Sequence, residues 1–376
     1  MGELAQGTGS REGVRVMAGR IVPLRPLALV AAGSIVAAVA IGFLYHGRSL
    51  LIPLAIAILI WHLINALAGF YHRLTPGSHR LPGWLCYMAA LLTIFGALAI
   101  MVELIRDNVA QVSQAAPGYE ASLRDLLNTM YDLVGLKTAP SFAQIIEQIS
   151  VGSVVTSLAG TLGGVAGSAG IVVVYVIFLL LEQSIFERKL QALLGDPGRA
   201  ERLRRLLARI ALQIEGYLWV KTLSSLLAGT VSFAIMWAVG VDFAAFWALV
   251  IFLLNYIPII GALLGVTFPS LLALVQFEAL GPFLVTSLAL ASAQFVVSNL
   301  IEPRLMGRKL HLSPLVIILS LAFWGMLWGV VGMILCVPIM VILMIICGHF
   351  RPTRPIAIML SSDGEIEWHT EAETAR

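Results

Sequence analysis

Two short stretches in the last third of the chain combine polar or aromatic side chains with helix-breaking residues, inside sequence that is otherwise apolar. They contain, in chain order, Asn255, Tyr256, Pro258 and Gly261, then Gly325, Trp328, Gly329 and Pro338. Proline lacks an amide hydrogen and glycine accepts unusual backbone angles, so each stretch predicts an interrupted helix. In a membrane, the freed backbone groups and half-helix ends can bind a polar solute or an ion. The chemistry predicted here is therefore recognition of a solute during transport.

Side chains beside these interruptions are the candidates for contacting a solute. Asn255, Tyr256 and Gln294 can form hydrogen bonds, and Trp328 with Trp324 can stack against a sugar-like ring. Each has a structural alternative: Asn255 capping a half-helix, Gln294 bonding a neighbouring helix, and the tryptophans packing among apolar side chains. The sequence leaves these alternatives open.

Charged residues near the ends of predicted crossings are the candidates for coupling transport to an ion. Asn299 and Glu302 lie at the end of a predicted crossing and precede several basic residues, which favours a surface loop with local ion pairing and leaves a gate as the alternative. Lys221, near the inner end of its crossing, is expected to extend to the lipid headgroups. The alternative is that Lys221 and Glu302 couple transport to ions.

The composition requires that these residues be held in a lipid environment. Of 376 residues, 59% are apolar and 12% are charged, against about 25% charged in a soluble domain. Such a chain cannot cover a soluble core with polar groups. The sequence therefore predicts an all-α polytopic membrane protein with about eight transmembrane helices.

Charge-free runs locate the crossings, because about 20 apolar residues span the hydrocarbon layer. Plain crossings are predicted at 27–45, 50–70, 84–102, 167–181, 222–241 and 282–300. The runs 243–277 and 311–350 would measure about 52 Å and 60 Å as single helices, against a hydrocarbon layer of about 30 Å. Both are therefore predicted to be broken or re-entrant, as hairpins or as pairs of short crossings. Their common plan suggests an inverted repeat in the C-terminal half.

The distribution of Arg and Lys orders the chain across the membrane, because basic segments remain in the cytoplasm. It predicts a cytoplasmic basic N-terminus (1–26), three transmembrane helices (27–105), an extracytoplasmic amphipathic helical segment (106–165), a transport core (166–350) and a cytoplasmic tail (351–376). Within the core, 197–215 is predicted to be a cytoplasmic basic amphipathic helix.

Catalytic signatures are missing from the sequence. It contains no His-Glu-x-x-His, no Gly-x-Ser-x-Gly and no phosphate-binding loop. The three cysteines lie in apolar stretches at unrelated spacings, which does not indicate a metal cluster. We therefore expect no enzyme activity, no cofactor, no metal and no nucleic acid partner.

Taken together, the motifs of the C-terminal half resemble one family of bacterial membrane proteins. The matching residues are Asn255, Tyr256, Ile257, Pro258 and Gly261; Asn299, Glu302, Pro303 and Gly307; Leu312, Ser313 and Pro314; and Phe323, Trp324, Gly325, Trp328, Gly329, Gly332 and Pro338. In this order they are similar to the autoinducer-2 exporter family, also called PerM-type permeases. The resemblance implies about eight spans in the bacterial inner membrane, cytoplasmic termini and a homo-oligomer, with a pentamer as the expected number.

The resemblance also implies what the protein does. It indicates a secondary transporter that exports a small polar metabolite, with autoinducer-2 as the substrate of some family members. Alternating access around the broken helices is the expected mechanism. The alternative function is exchange of a monovalent cation such as sodium for protons, although the deep apolar runs carry no carboxylate of the kind that such exchange usually requires.

Overall fold

The computed structural model describes residues 24–74, 82–134, 169–306 and 312–364. Within these ranges the secondary structure is helical, apart from turns and an isolated antiparallel bridge between Leu312 and Ser361. The chain divides into two units, Met1–Gly47 and Arg48–Arg376. The predicted all-α architecture is confirmed.

Among the described residues, the first unit contains the first helix and the second unit contains the other helices. In chain order the helices are α1 (Leu24–His46), α2 (Arg48–Leu74), α3 (Gly83–Val134), α4 (Ala169–Leu194), α5 (Pro197–Val239), α6 (Ala244–Leu254), α7 (Ile260–Phe277), α8 (Leu280–Val296), α9 (Glu302–Met306), α10 (Pro314–His349) and α11 (Arg354–Leu360). A π-helical turn, Val297–Ile301, joins α8 to α9, and a 3-10 turn, Arg351–Thr353, joins α10 to α11.

Seven candidate membrane spans occur among the described residues, by length and apolar composition. They are Arg48–Leu74, Gly83–Asn108, Ala169–Leu194, Pro197–Val239, Ile260–Phe277, Leu280–Met306 and Pro314–His349. Shorter apolar helices are Gly33–His46, within α1, and α6. The chain is therefore a multi-pass membrane protein, as predicted.

Two helices continue well beyond their predicted crossings. Helix α3 has 52 residues and α5 has 43, which correspond to about 78 Å and 64 Å at 1.5 Å per residue. The first part of the predicted amphipathic segment, 106–134, is thus a continuation of α3, and the remainder of it lies outside the described residues. The segment predicted to be a helix, 197–215, is helical and forms the first half of α5. It continues without a break into the predicted crossing, because no proline follows Pro197 before Val239.

Local sequence explains where α5 begins and ends. The Asp196 side chain accepts a hydrogen bond from the backbone amide of Gly198 at 2.8 Å, and Pro197 occupies the first turn. At the other end, Gly240 adopts a left-handed conformation with φ of 84°, which ends the helix.

Helix α5 is the element around which the second unit is organised. It packs against α2, α4, α6, α8, α9 and α10. Its buried face carries small and polar residues, among them Lys221, Ser224, Ser225 and Ser232. A separate apolar cluster, built from Ile64, Cys86 and Val176, joins α2, α3 and α4. The candidate functional residues therefore converge on α5.

Candidate transport site

The first interrupted run forms a helical hairpin, α6–α7. Its tip spans residues 255–259, where Ile259 has a positive φ of 64°. After the tip the chain folds back so closely that a Cβ atom on Gly261 would lie 1.8 Å from the Leu254 carbonyl oxygen. With 11 residues, α6 measures about 16 Å and is too short to cross the hydrocarbon layer.

The second interrupted run also folds back, at a kink inside α10. Gly329 has φ 63° and ψ −143°, which reverses the direction of the chain. A Cβ atom on Gly332 would lie 2.0 Å from the Trp324 carbonyl oxygen, and one on Gly325 would lie 2.9 Å from Met333 Cε. Residues eight positions apart in a straight helix are separated by about 12 Å. Both predicted breaks are therefore present, and at each of them the chain folds back on itself.

A buried network of amides and hydroxyls anchors the tip of the first hairpin. Asn255, which caps the C-terminus of α6, donates from Nδ2 to Ser225 Oγ at 3.0 Å, and its Oδ1 accepts from Gln294 Nε2 at 2.8 Å. Gln294 Nε2 also lies 3.2 Å from Ser298 Oγ. Asn255 is 4% exposed and Gln294 is 8% exposed. The network joins the hairpin tip to α5 and α8.

Tyr256 provides a second connection between the hairpin tip and α5. Its hydroxyl lies 2.8 Å from Thr222 Oγ1, within hydrogen-bonding distance. Its ring packs edge-on against Phe252, with centroids 5.8 Å apart. Movement of the hairpin along α5 would break this hydrogen bond and those of Asn255.

An ion pair lies on the same face of α5. Lys221 Nζ donates to Glu302 Oε1 at 2.7 Å, and the two side chains are only 8% and 15% exposed. Ser224 Oγ lies 3.4 Å from the other carboxylate oxygen, Glu302 Oε2. The expectation that Lys221 extends to the headgroups is wrong, because its ammonium group is held inside by a carboxylate.

The π-helical turn helps to place this carboxylate. It covers Val297–Ile301 and ends at Glu302, which begins α9. A π-helical turn changes the rotation of the residues that follow it, and such turns are frequent at functional sites. Glu302 pairs with Lys221, whereas Gly307, Arg308 and Lys309 of the predicted loop lie outside the described residues.

The predicted site residues of the second interrupted run, Gly325, Trp328, Gly329 and Pro338, all lie in the hairpin that α10 forms. Trp328 is 9% exposed, and its ring centroid lies 5.1 Å from that of Trp324. Gly325 and Gly329 form the reversal, and Pro338 is buried in the second arm. Helix α10 packs against α5, which brings this hairpin to the same central helix.

Asn299, another predicted site residue, does not join the network. Its side chain is exposed, and Nδ2 donates to the Phe295 carbonyl of its own helix at 3.2 Å. Conversely, three partners on α5 were not predicted from the sequence: Thr222, Ser224 and Ser225. The signal that could have found them is a group of hydroxyl residues around Lys221, inside an apolar predicted crossing.

The candidate site provides hydrogen-bonding groups and the Lys221–Glu302 ion pair, and it does not resemble a metal site. Among the described residues, no group of three or more His, Cys, Asp or Glu side chains could hold a metal ion. Buried charges are costly unless they are paired, and inside a membrane protein they mark substrate or ion pathways. Paired helical hairpins around a buried polar network are typical of secondary transporters.

Comparison with known proteins agrees with that class. The profile of the AI-2E family transporters matches residues 34–351, so the chain belongs to this family of transporters. A putative transport protein of Haemophilus influenzae is 30% identical over 84% of this chain and 89% of its own length. The AI-2 transport protein TqsA of Escherichia coli is 29% identical over 83% of this chain and 89% of its own length.

Proposed function

We propose that the protein exports a small polar metabolite across the bacterial inner membrane, and that autoinducer-2 is the first substrate to test. The observation that carries this proposal is the buried network of Asn255, Gln294 and Ser225 at the tip of the first hairpin. The name of the Escherichia coli relative supports the choice of substrate. Both termini are proposed to be cytoplasmic, and the functional unit to be a homo-oligomer, with a pentamer as the expected number.

In the proposed mechanism, the solute exchanges hydrogen bonds with the network. The amides of Asn255 and Gln294 provide donors and acceptors, and a polar solute can replace each internal bond without leaving a buried group unpaired. Gly261 and Gly332 allow the hairpin arms to approach closely. Movement of the hairpins relative to α5 would then expose the site to alternate faces of the membrane.

Lys221 and Glu302 are the proposed coupling residues. A proton on Glu302 removes its charge and leaves the Lys221 ammonium group without a counter-ion in a buried position. Since an unpaired buried charge is unstable, proton binding favours separation of α5 from α9. Proton movement is thereby linked to the conformational change.

Exchange of sodium for protons is the second candidate function, and the same ion pair favours it. The argument from the sequence against such exchange was that the deep apolar runs contain no carboxylate. The Glu302 carboxylate is 15% exposed and bonded to Lys221, which provides a buried titratable group next to those runs.

One experiment separates the two candidates. Radiolabelled autoinducer-2 and sodium fluxes are measured in the same proteoliposomes for the wild type, Glu302→Gln and Asn255→Ala. Export predicts autoinducer-2 flux that Asn255→Ala reduces, whereas exchange predicts a sodium-driven pH change that Glu302→Gln abolishes. Autoinducer-2 is rejected as the substrate if its flux in the wild type equals that of protein-free vesicles. A sodium signal that Glu302→Gln leaves unaltered removes Glu302 as the coupling residue.

A further inference from the structure

A small cavity lies between α5 and α9, next to the Lys221–Glu302 pair. Its volume is about 150 Å³, and its lining includes Gln213, Gly216, Tyr217 and Val220 of α5 with Leu305 and Met306 of α9. None of the residues proposed to contact the solute lines it. The cavity is therefore distinct from the network at the hairpin tip.

The cavity lies on one particular side of the ion pair. Along α5 its lining ends at Val220, immediately before Lys221, and along α9 it begins at Leu305, after Glu302. It thus lies toward the beginning of α5 and the end of α9. The bias of basic residues assigns this side of both helices to the cytoplasm.

Tyr217 occupies the position between the cavity and the ion pair. It precedes Lys221 by four residues and therefore lies one helical turn away on the same face of α5. The residue is 6% exposed and lines the cavity. Its ring is an apolar body with a polar tip, which suits a barrier between a wet and a dry compartment.

The size of the cavity restricts what it can admit. A volume of 150 Å³ corresponds to about five water molecules at about 30 Å³ each. Pockets for drug-sized organic ligands measure about 300–1,000 Å³. The dimensions suit a hydrated inorganic cation, such as a hydronium or sodium ion, and are too small for a drug-sized ligand.

We propose that this cavity is the path by which a small inorganic cation reaches the Lys221–Glu302 pair from the side of the α5 N-terminus, and that the Tyr217 ring is the barrier at its inner end. The proposal rests on the proposed coupling role of that pair. It assigns the cation and the organic solute to different routes: the cation through the α5–α9 cavity, and the solute through the hairpin network.

Filling the cavity tests the proposed path. A Cβ atom on Gly216 would meet no atom within 4 Å, so Gly216→Leu extends into the open space of the cavity. Gly96 on α3 likewise has no atom within 4 Å of a Cβ atom, and Gly96→Leu is the matched control. Proton movement is measured in proteoliposomes with an enclosed pH dye, driven by the autoinducer-2 or sodium gradient to which the wild type responds.

We expect Gly216→Leu to lower the driven proton flux about tenfold or more, because a narrowed path limits passage, while Gly96→Leu retains the wild-type flux. Gly216→Ala adds only a methyl group, and we expect it to fold and to lower the flux about twofold to threefold. Wild-type flux in both Gly216 variants overturns the proposed path.

Removing the Tyr217 ring tests the proposed barrier. With no driving solute present, an imposed pH gradient should dissipate about threefold faster or more in Tyr217→Ala than in the wild type, because the cavity would open onto the ion pair. Tyr175→Ala on α4 makes the same truncation away from the cavity and is the control. A dissipation rate in Tyr217→Ala no higher than in the control overturns the barrier.

Glu302→Gln distinguishes failure of this inference from failure of the proposed function. If Glu302→Gln abolishes the driven proton flux while Gly216→Leu does not, the pair couples transport and the cation reaches it by another path. If Glu302→Gln leaves the proton flux unchanged, the coupling role itself is rejected, and the path has no function.

Discussion

The Lys221 ammonium group and the Glu302 carboxylate lie 2.7 Å apart although 81 positions separate the two residues in the chain. The pair joins the middle of α5 to the helix that follows the π-helical turn, and both side chains are largely removed from solvent. Four residues after Lys221 on α5, Ser225 bonds the tip of the first hairpin through Asn255. One face of α5 therefore links the charge pair to the proposed solute network.

The buried ion pair predicts an asymmetric effect on stability. Lys221→Met should lower the free energy of unfolding by about 3–5 kcal/mol, because Glu302 is left as an uncompensated buried charge. Adding Glu302→Gln removes that charge and should restore most of the loss. Reversible unfolding by SDS in mixed micelles measures both variants. If Lys221→Met alone is as stable as the wild type, the ion pair does not hold these helices together.

The reversals of the hairpins predict unusually large effects of small substitutions. Gly261→Ala and Gly332→Ala would place a Cβ atom 1.8 Å and 2.0 Å from backbone carbonyl oxygens. We expect each to lower the free energy of unfolding by about 1–3 kcal/mol or more and to reduce transport, since the arms must separate. Gly281→Ala, where a Cβ atom has open space, is the control and should be neutral. If the three variants have the same free energy of unfolding and the same transport rate, the hairpin arms do not pack as described.

The amide network predicts that Asn255 contributes more to stability than an ordinary helix asparagine. Asn255→Ala leaves the buried Gln294 and Ser225 without their shared partner, at a cost of about 1–3 kcal/mol in the free energy of unfolding. The matched control is Asn108→Ala, because the Asn108 amide bonds the Leu104 carbonyl of its own helix. Similar losses in the two variants would contradict the network.

Outside the membrane-spanning segments, Tyr119 predicts a dependence on pH. Its hydroxyl donates to Asp242 Oδ2 at 2.8 Å, and burial, followed by that hydrogen bond and the charge of Asp242, raises the pKa of Tyr119 above its ordinary value. The folded protein retains this proton where the unfolded chain releases it. The stabilisation is therefore complete below about pH 10 and declines as pH rises further.

The measurement for Tyr119 is amide hydrogen exchange around Asp242, for the wild type and Tyr119→Phe. At neutral pH, the amides around Asp242 should be less protected from exchange in Tyr119→Phe than in the wild type. Above about pH 10, the wild type should lose protection as well, whereas the variant should show no further loss from this contact. Identical pH profiles for the two proteins would exclude a contribution from this contact.

Chain length and helix-breaking residues were sufficient to predict both interruptions. An apolar run too long for the membrane must break, and the breaks occur at the predicted residues, near Pro258 and Gly329. The close fold-back of the chain at each break could not be predicted from the sequence, because it depends on the contacts of Gly261 with Leu254 and of Gly332 with Trp324. These contacts are properties of the folded backbone, not of the residue pattern.

The location of Lys221 was predicted wrongly for a similar reason. A lysine near the end of an apolar helix usually extends to the headgroups, and only a buried carboxylate reverses that preference. The carboxylate is Glu302, whose position depends on the packing of α5 against α9 and on the π-helical turn. No local pattern links residues so far apart in the chain.

The most direct test of the account is proton-coupled transport by the double variant Lys221→Met with Glu302→Gln, reconstituted beside the wild type. The double variant should unfold like the wild type because no buried charge is left unpaired. We predict that it nevertheless loses the proton movement driven by autoinducer-2 or sodium. A double variant that is stable and drives protons at the wild-type rate would contradict the proposal that this ion pair couples transport.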